Sequence, residues 1–293
     1  MKSESRHKSK VKYLVLGASG LLGSRLLEIL SRSAHVQGTY FRRPARSCIF
    51  CDLSDAREVR RAVELTSPEI VVHVAGMTRP DECEADKDLA YRVNVEGMDA
   101  LVDFAGDAKI VFFSTDYVFD GTKGSYAEDD APCPINHYGA TKLAAERLLL
   151  DRRPDSLILR VSGLFGTCMW YEEFLRSMGK RQQVPASAEH KSSYTYIDDI
   201  CSHLPTLVGM SGVVHFVGHD VFSRFEFTSL TCQILCADFE VVAISGDAAY
   251  PTVRRPRDSS LVSSRLRLPM TPTTTALHKL RKALSSYDKG DIL

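Results

Sequence analysis

A short apolar run, KYLVL at residues 12–16, breaks into Gly17-Ala18-Ser19-Gly20-Leu21-Leu22-Gly23. A segment follows whose apolar residues Leu22, Leu26, Ile29 and Leu30 recur at helical spacing. This strand–glycine turn–helix unit constrains the fold more than any other feature. A run bounded this way reads as a strand buried on both faces. The glycines let backbone N–H groups approach a pyrophosphate, and the helix N-terminus adds a favourable dipole. The spacing is GxxGxxG, a variant of the dinucleotide fingerprint. Gly17, Ser19, Gly20, Leu21, Leu22 and Gly23 are therefore candidate cofactor contacts.

Strands and helices alternate beyond that unit. The pattern predicts strands near 12–16, 35–40, 48–51, 70–74, 109–113 and 157–160, with helices near 22–32, 55–66, 87–105 and 137–151. Runs such as IVVHVA and KIVFFS suit strands covered on both sides. The fold class expected is α/β, a Rossmann-type doubly wound parallel sheet with a smaller C-terminal substrate lobe. Residues 1–10 (MKSESRHKSK) read as a disordered N-terminus and 11–165 as the NAD(P)-binding Rossmann domain. Residues 166–293 read mainly as the substrate lobe, with 196–218 returning to the Rossmann sheet. Within that part, 171–183 and 223–238 look helical, GVVHFVG (212–218) looks like a strand, and 245–275 looks like a loop or binding segment.

Composition excludes some partners. Lys+Arg and Asp+Glu balance at 37 each in 293 residues, so neither nucleic acid nor an anionic membrane is an expected partner. The polar start carries no apolar signal core, and no run approaches a bilayer span, which points to a cytoplasmic protein. The eight cysteines are scattered; Cys48 and Cys51 form a CxxC, but on a strand that odd spacing sends the side chains to opposite faces. His73, His137 and His215 fall in or beside core elements and read as structural; no metal site is expected.

Chemistry enters at Tyr138-Gly139-Ala140-Thr141-Lys142, 23 residues after Thr115 in FSTDYVFDG. A tyrosine and a lysine four apart share a helix face. The ammonium is expected to lower the phenol pKa, and the Thr115 hydroxyl to hold a carbonyl beside it. Such a set suits a ketone accepting a hydride.

The second strand ends in Gly38-Thr39-Tyr40-Phe41-Arg42-Arg43, with no acid at its tip to bind a ribose 2′-hydroxyl. Arg42 and Arg43 stand where a 2′-phosphate would lie. NADP(H) is the cofactor expected, with NAD(H) second. Asp52, followed by Leu53, closes the third strand near the adenine position. Ala75 and Gly76 close the fourth, small enough for a cofactor to cross the sheet.

These motifs together resemble an extended short-chain dehydrogenase/reductase, and within that group the dTDP-4-dehydrorhamnose reductase family. The resemblance is carried by GASGLLG (17–23), Asn94 in VNVEG, STDYVFDG (114–121), PINHYGATKLAAE (134–146), LRVSGLFG (159–166) and RPRDSSL (255–261). It implies that Thr115, Tyr138 and Lys142 are catalytic. Hydride from NADPH would reach the C4 carbonyl of a nucleotide-linked sugar. Tyr138 would give the proton, and Lys142 would hold the ribose hydroxyls. Asn94 would support helix backbone or a relay water. Sugar-nucleotide 4,6-dehydratases follow this threonine with Asp-Glu; here Asp116 is followed by Tyr117, which disfavours dehydration. Candidate substrate contacts are Thr78, Asp116, Trp170 and Arg255, the last facing a diphosphate with Arg254 and Arg257 nearby. A homodimer is compatible with the family. The chain is also similar to the regulatory β subunit of methionine adenosyltransferase, which makes a regulatory role the main alternative; a nucleotide-sugar epimerase is the third.

Overall fold

The computed structural model describes residues 10–166, 183–236 and 240–286. Strands β1 (Lys12–Leu16), β2 (His35–Tyr40), β3 (Cys48–Phe50), β4 (Ile70–His73), β5 (Lys109–Thr115) and β6 (Leu157–Val161) form the main sheet. Strand β11 (Gly212–His215) joins it. The order is β11-β6-β5-β4-β1-β2-β3, and every pairing is parallel. The winding direction reverses between β1 and β4, which pair Leu14 with Val71 and Leu16 with His73. At such a reversal the connections on either side diverge, leaving a crevice outside the carboxyl ends of the strands.

Side chains alternate along each strand, so the sheet divides its core in two. Tyr13, Val15, Val72, Val111, Phe113 and Leu159 face α1 (Leu21–Leu30) and α7 (Ile197–Leu207). Leu14, Leu16, Val71, Ile110, Phe112 and Ile158 face α2 (Ala56–Thr66), α5 (Gly97–Phe104) and α6 (His137–Arg152). Each of the fully buried aliphatic side chains contributes about 1.5–3 kcal/mol. Cys48 packs on the α1 side and Cys51 in the opposite core, so the CxxC is split across the sheet.

The helix expected at 87–105 is divided. A separate helix α3 (Pro80–Ala85) opens with proline at its first turn, where the missing N–H costs nothing. Asp86 then caps α4 (Lys87–Tyr91), accepting from Leu89 N at 2.9 Å. A π turn, Arg92–Glu96, leads into α5. The apolar period survives this insertion, so the pattern read as one helix.

The C-terminal part is built from short pairs. Strand β7 (Leu164–Phe165) pairs with β10 (Thr195–Tyr196), β8 (Gln183–Ser187) with β13 (Glu240–Ile244), and β9 (Lys191–Ser193) with β12 (Val221–Ser223). Helix α8 (Arg224–Leu235) starts in a capping box made by Ser223 and Glu226. It packs with α10 (Thr273–Ser286) around Phe165, Tyr194, Phe227, Leu277 and Leu280. Helix α10 was not expected from the sequence, and the stretch 245–275 carries the short helix α9 (Gly246–Ala249) before a long loop. The helix expected at 171–183 lies outside the described residues, apart from residue 183, which opens β8. No helix of the described residues is long and apolar enough to cross a membrane.

Candidate active site

The glycine turn sits at the carboxyl end of β1, beside the reversal point. Gly17 has φ +91°, a conformation that side chains resist, and a Cβ there would lie 2.9 Å from Ala75 Cα. Its N–H donates to Thr39 Oγ1 at 3.0 Å, tying the turn to β2. Gly23 allows α1 to close on the turn, since a Cβ would fall 2.2 Å from the Gly17 carbonyl oxygen. Gly20 caps α1 without any side-chain hydrogen bond, and the first turn holds no acid. The helix thus turns its positive dipole toward Ser19, Gly20 and Leu21, which are partly or fully exposed, while the Gly20 N–H donates back to the Gly17 carbonyl at 3.0 Å. Leu22 is buried beneath them. A glycine-rich turn of small residues leading into a helix N-terminus fits a dinucleotide pyrophosphate.

Around this turn, Arg42 and Arg43 lie exposed past the end of β2, and among the described residues neither has an ion-pair partner. Phe41, 48% exposed, packs on Phe50 at 6.0 Å and lies beneath the Arg42 guanidinium. Asp52 Oδ1 accepts from Ser54 N at 2.9 Å and from Ser54 Oγ at 2.7 Å, while Leu53 is buried. Asp52 is half-exposed at the carboxyl edge of β3. Ala75 and Gly76 follow β4 next to Gly17 and Asn94.

The second half of the site forms where α6 crosses the end of β5. Gly139 makes this crossing possible, because a Cβ there would stand 2.0 Å from the Tyr117 carbonyl oxygen. Asn136 caps α6, accepting from Gly139 N at 2.9 Å. Thr115 closes β5 and accepts from Tyr117 N at 3.2 Å. Its hydroxyl donates to Asp116 Oδ1 at 3.1 Å, and it neighbours the Tyr138 phenol closely enough to favour the phenolate slightly, so the fold brings Thr115 and Tyr138 to one end of the sheet. Lys142 Nζ donates to the Phe113 carbonyl at 2.7 Å and lies 3.9 Å from the centre of the Phe112 ring. Asn94, turned inward by the π turn, accepts from Met77 N and donates to Met77 O and Thr141 Oγ1. It locks the loop after β4 to α6 through loop backbone and a helix side chain, rather than through the helix backbone expected from the sequence.

One electrostatic expectation is corrected. Lys142 does not lower the Tyr138 phenol; burial pushes that phenol well above its ordinary value, only partly offset by Thr115. Burial also lowers Lys142 to about 7, against the charge of Glu146. His73, with both ring nitrogens lacking hydrogen-bond partners among the described residues, is held neutral by burial, its pKa down to about 3.

On the substrate side the structure separates the candidates. Asp116 is a buried anchor, correcting its reading as a substrate contact. It accepts from Thr115 Oγ1, from Ser162 Oγ at 2.7 Å and from Ser259 Oγ, which holds the 255–261 segment against β5. Thr78 is exposed on the loop after β4. Arg255 is buried, pairs through Nη2 with Asp81, and lies over the Tyr250 ring at 5.1 Å. Its Nη1 is buried without a partner among the described residues. Arg254 and Arg257 are exposed, and Arg257 approaches Glu189 at 3.8 Å. Trp170 lies outside the described residues. Sequence reasoning missed Arg224, at the start of α8, which is solvent-exposed yet close to Tyr117, Tyr194 and Tyr250. The Ser223–Glu226 capping box could have marked Arg224 as a first-turn residue, though not its direction.

Comparison with known proteins agrees with this geometry. The family described as RmlD substrate binding domain matches residues 11–288. The chain belongs to that family. Membership places it among the extended short-chain dehydrogenases/reductases. The chain is 32% identical to dTDP-4-dehydrorhamnose reductase of Aggregatibacter actinomycetemcomitans, over 85% of this chain and 89% of that protein. It is 30% identical to methionine adenosyltransferase 2 subunit beta of Danio rerio, over 87% of this chain and 84% of that protein. Among solved structures, dTDP-4-dehydrorhamnose reductase of Bacillus anthracis in complex with NADP superposes with a TM-score of 0.85. That match has 27% identity and covers 94% of this chain and 99% of the other.

Proposed function

We propose that this RmlD-family protein is an NADP(H)-dependent reductase of a nucleotide-linked 4-keto-6-deoxy sugar. One observation carries the reading: the buried side chains of Tyr138, Thr115 and Lys142 gather where α6 crosses the carboxyl end of β5, beside the strand that borders the glycine-turn crevice. The NADP complex of the Bacillus anthracis relative supports the cofactor. The backbone of Gly17–Gly23 would hold the pyrophosphate, Arg42 and Arg43 a 2′-phosphate, and Lys142 the ribose hydroxyls. When bound, NADPH supplies a hydride. Thr115 would turn its hydroxyl proton from Asp116 to the ketone oxygen and so orient it, and Tyr138 would deliver a proton to that oxygen as general acid. A phenol kept protonated by burial suits this role. Arg255, with its unpaired Nη1, and Arg224 would attract the substrate diphosphate. Thr78 and Trp170 are kept as further substrate candidates.

The test is loss of reduced-cofactor absorbance when the protein meets NADPH and a panel of nucleotide 4-keto-6-deoxy sugars. Turnover of at least one supports the reading, and turnover of none defeats it. The similarity to methionine adenosyltransferase 2 subunit beta favours a second reading, an NADP-binding regulatory partner. Co-purification with a methionine adenosyltransferase, together with no turnover, would establish it.

A further inference from the structure

A buried string of charge leads away from Lys142, and the reaction as proposed does not use it. Glu146 lies one turn beyond Lys142 on α6 and is 2% exposed. Its carboxylate accepts from Arg160 Nε at 3.0 Å and Arg160 Nη2 at 2.7 Å. Arg160, 3% exposed on β6, lies over the Phe119 ring at 5.2 Å and directs Nη1 toward His215 Nε2 at 3.4 Å. His215 in turn faces the Val262 and Tyr126 carbonyls through Nδ1. With that nitrogen donating, Nε2 is left as the acceptor for Arg160.

Register gives this string its meaning. Arg160 is the Cα partner of Ser114. Ser114 lies between Phe113, whose carbonyl receives Lys142, and Thr115, which neighbours Tyr138. Helix α6 is therefore fastened to β5 and β6 at two successive levels. A buried ion pair is weak support for stability, since apolar residues of similar volume often serve as well or better. Its presence under the reacting groups calls for a different account.

We propose that the Glu146–Arg160 pair is a positioning device, setting the height of α6 on the sheet and holding a carboxylate one turn from Lys142 that favours its ammonium form. The inference rests on the reductase reading for its catalytic consequence. The titratable groups coupled to Lys142 are Glu146 on its own helix, Cys83 on α3 and His73 on β4. Burial keeps the Cys83 thiol protonated, at about 11, and keeps His73 neutral. Glu146, held by Arg160, is the carboxylate among them.

The experiment follows Lys142 directly, by NMR titration of the full chain labelled at the lysine ε-carbons, with the Lys142 signal assigned through Lys142→Arg. The wild type is compared with Glu146→Gln, Glu146→Asp and the double variant Glu146→Gln/Arg160→Met. In Glu146→Gln the titration of Lys142 should fall by about half a pH unit or more. The kcat at neutral pH should fall about twofold or more with KM little changed. Glu146→Asp should recover part of both. The double variant should regain the wild-type melting temperature while the titration and kcat stay depressed. Recovery of all three in the double variant, or an unmoved Lys142 titration in Glu146→Gln, overturns the proposal. Absence of wild-type turnover would defeat the reductase reading, and the titration would still decide the positioning claim.

Discussion

Tyr138 and His73 show opposite uses of burial within one core. At Tyr138, desolvation penalises the phenolate and keeps the proton on; under the proposed reduction that proton passes to the developing alkoxide. Tyr138→Phe keeps the ring and its edge-on contact with Tyr117 at 5.8 Å but removes the proton. Turnover should drop by about 10²–10⁴ with NADPH affinity nearly unchanged, read by steady-state kinetics and cofactor fluorescence titration. At His73, burial lowers the pKa from 6.5 to about 3. The unfolded chain therefore takes up a proton that the native state refuses. Its contribution to stability is fully present above about 6.5 and is lost as pH falls toward 3, by up to about 1.4 kcal/mol per pH unit. His73→Leu should flatten that acid slope, measured by urea unfolding across the window.

At the scale of elements, the site depends on one helix crossing one strand end at contact distance. Gly139 sets that distance, with the Tyr117 carbonyl occupying the space a side chain would need. Gly139→Ala cannot be accommodated by rotating a side chain, because the clash is with backbone. Helix α6 must lift away from the Asp116–Val118 turn. The change should cost about 1–3 kcal/mol in urea unfolding. It should also lower kcat more than KM, since Tyr138 and Lys142 move with the helix while the glycine turn does not. The π turn Arg92–Glu96 works from the other side, aiming Asn94 at Met77 and Thr141 so that the β4 loop and α6 share one set of hydrogen bonds.

For the whole molecule, the crevice at the β1–β4 reversal makes ligand binding and stability one measurement. A cofactor that binds only the folded protein should raise the unfolding free energy by about 2.7 kcal/mol at a hundredfold excess over its Kd. NADP(H) should raise the melting temperature more than NAD(H) at equal concentration. Arg42→Ala should erase most of that difference, because Arg42 is exposed and unpaired among the described residues and so carries little of the fold. Equal shifts for the two cofactors in the wild type would remove the 2′-phosphate assignment.

Much of this was legible in the chain. The KYLVL–GASGLLG unit fixed a strand, a turn and a helix, because buried strands leave apolar runs and close backbone approach demands glycine. The alternation of segments then implied a parallel sheet, and its seven-stranded order followed that reading. Thr115, Tyr138 and Lys142 were found by spacing along the chain. Their electrostatics were not: spacing suggests an ammonium that acidifies a phenol, whereas the degree of burial decides the outcome and is set by residues far apart in sequence. For the same reason Asp116 reads from the sequence as a substrate contact, whereas Ser162 and Ser259 close on it in the fold. The sequence by itself determined most of the elements and the glycine turn, since these depend on local backbone needs, and it supplied the residue types on which the proposed reaction rests. Tertiary structure alone decided which charges are paired, which are neutralised and which face the cleft. Those outcomes are set by solvent exclusion among residues as distant in the chain as Arg255 and Asp81, or Glu146, Arg160 and His215.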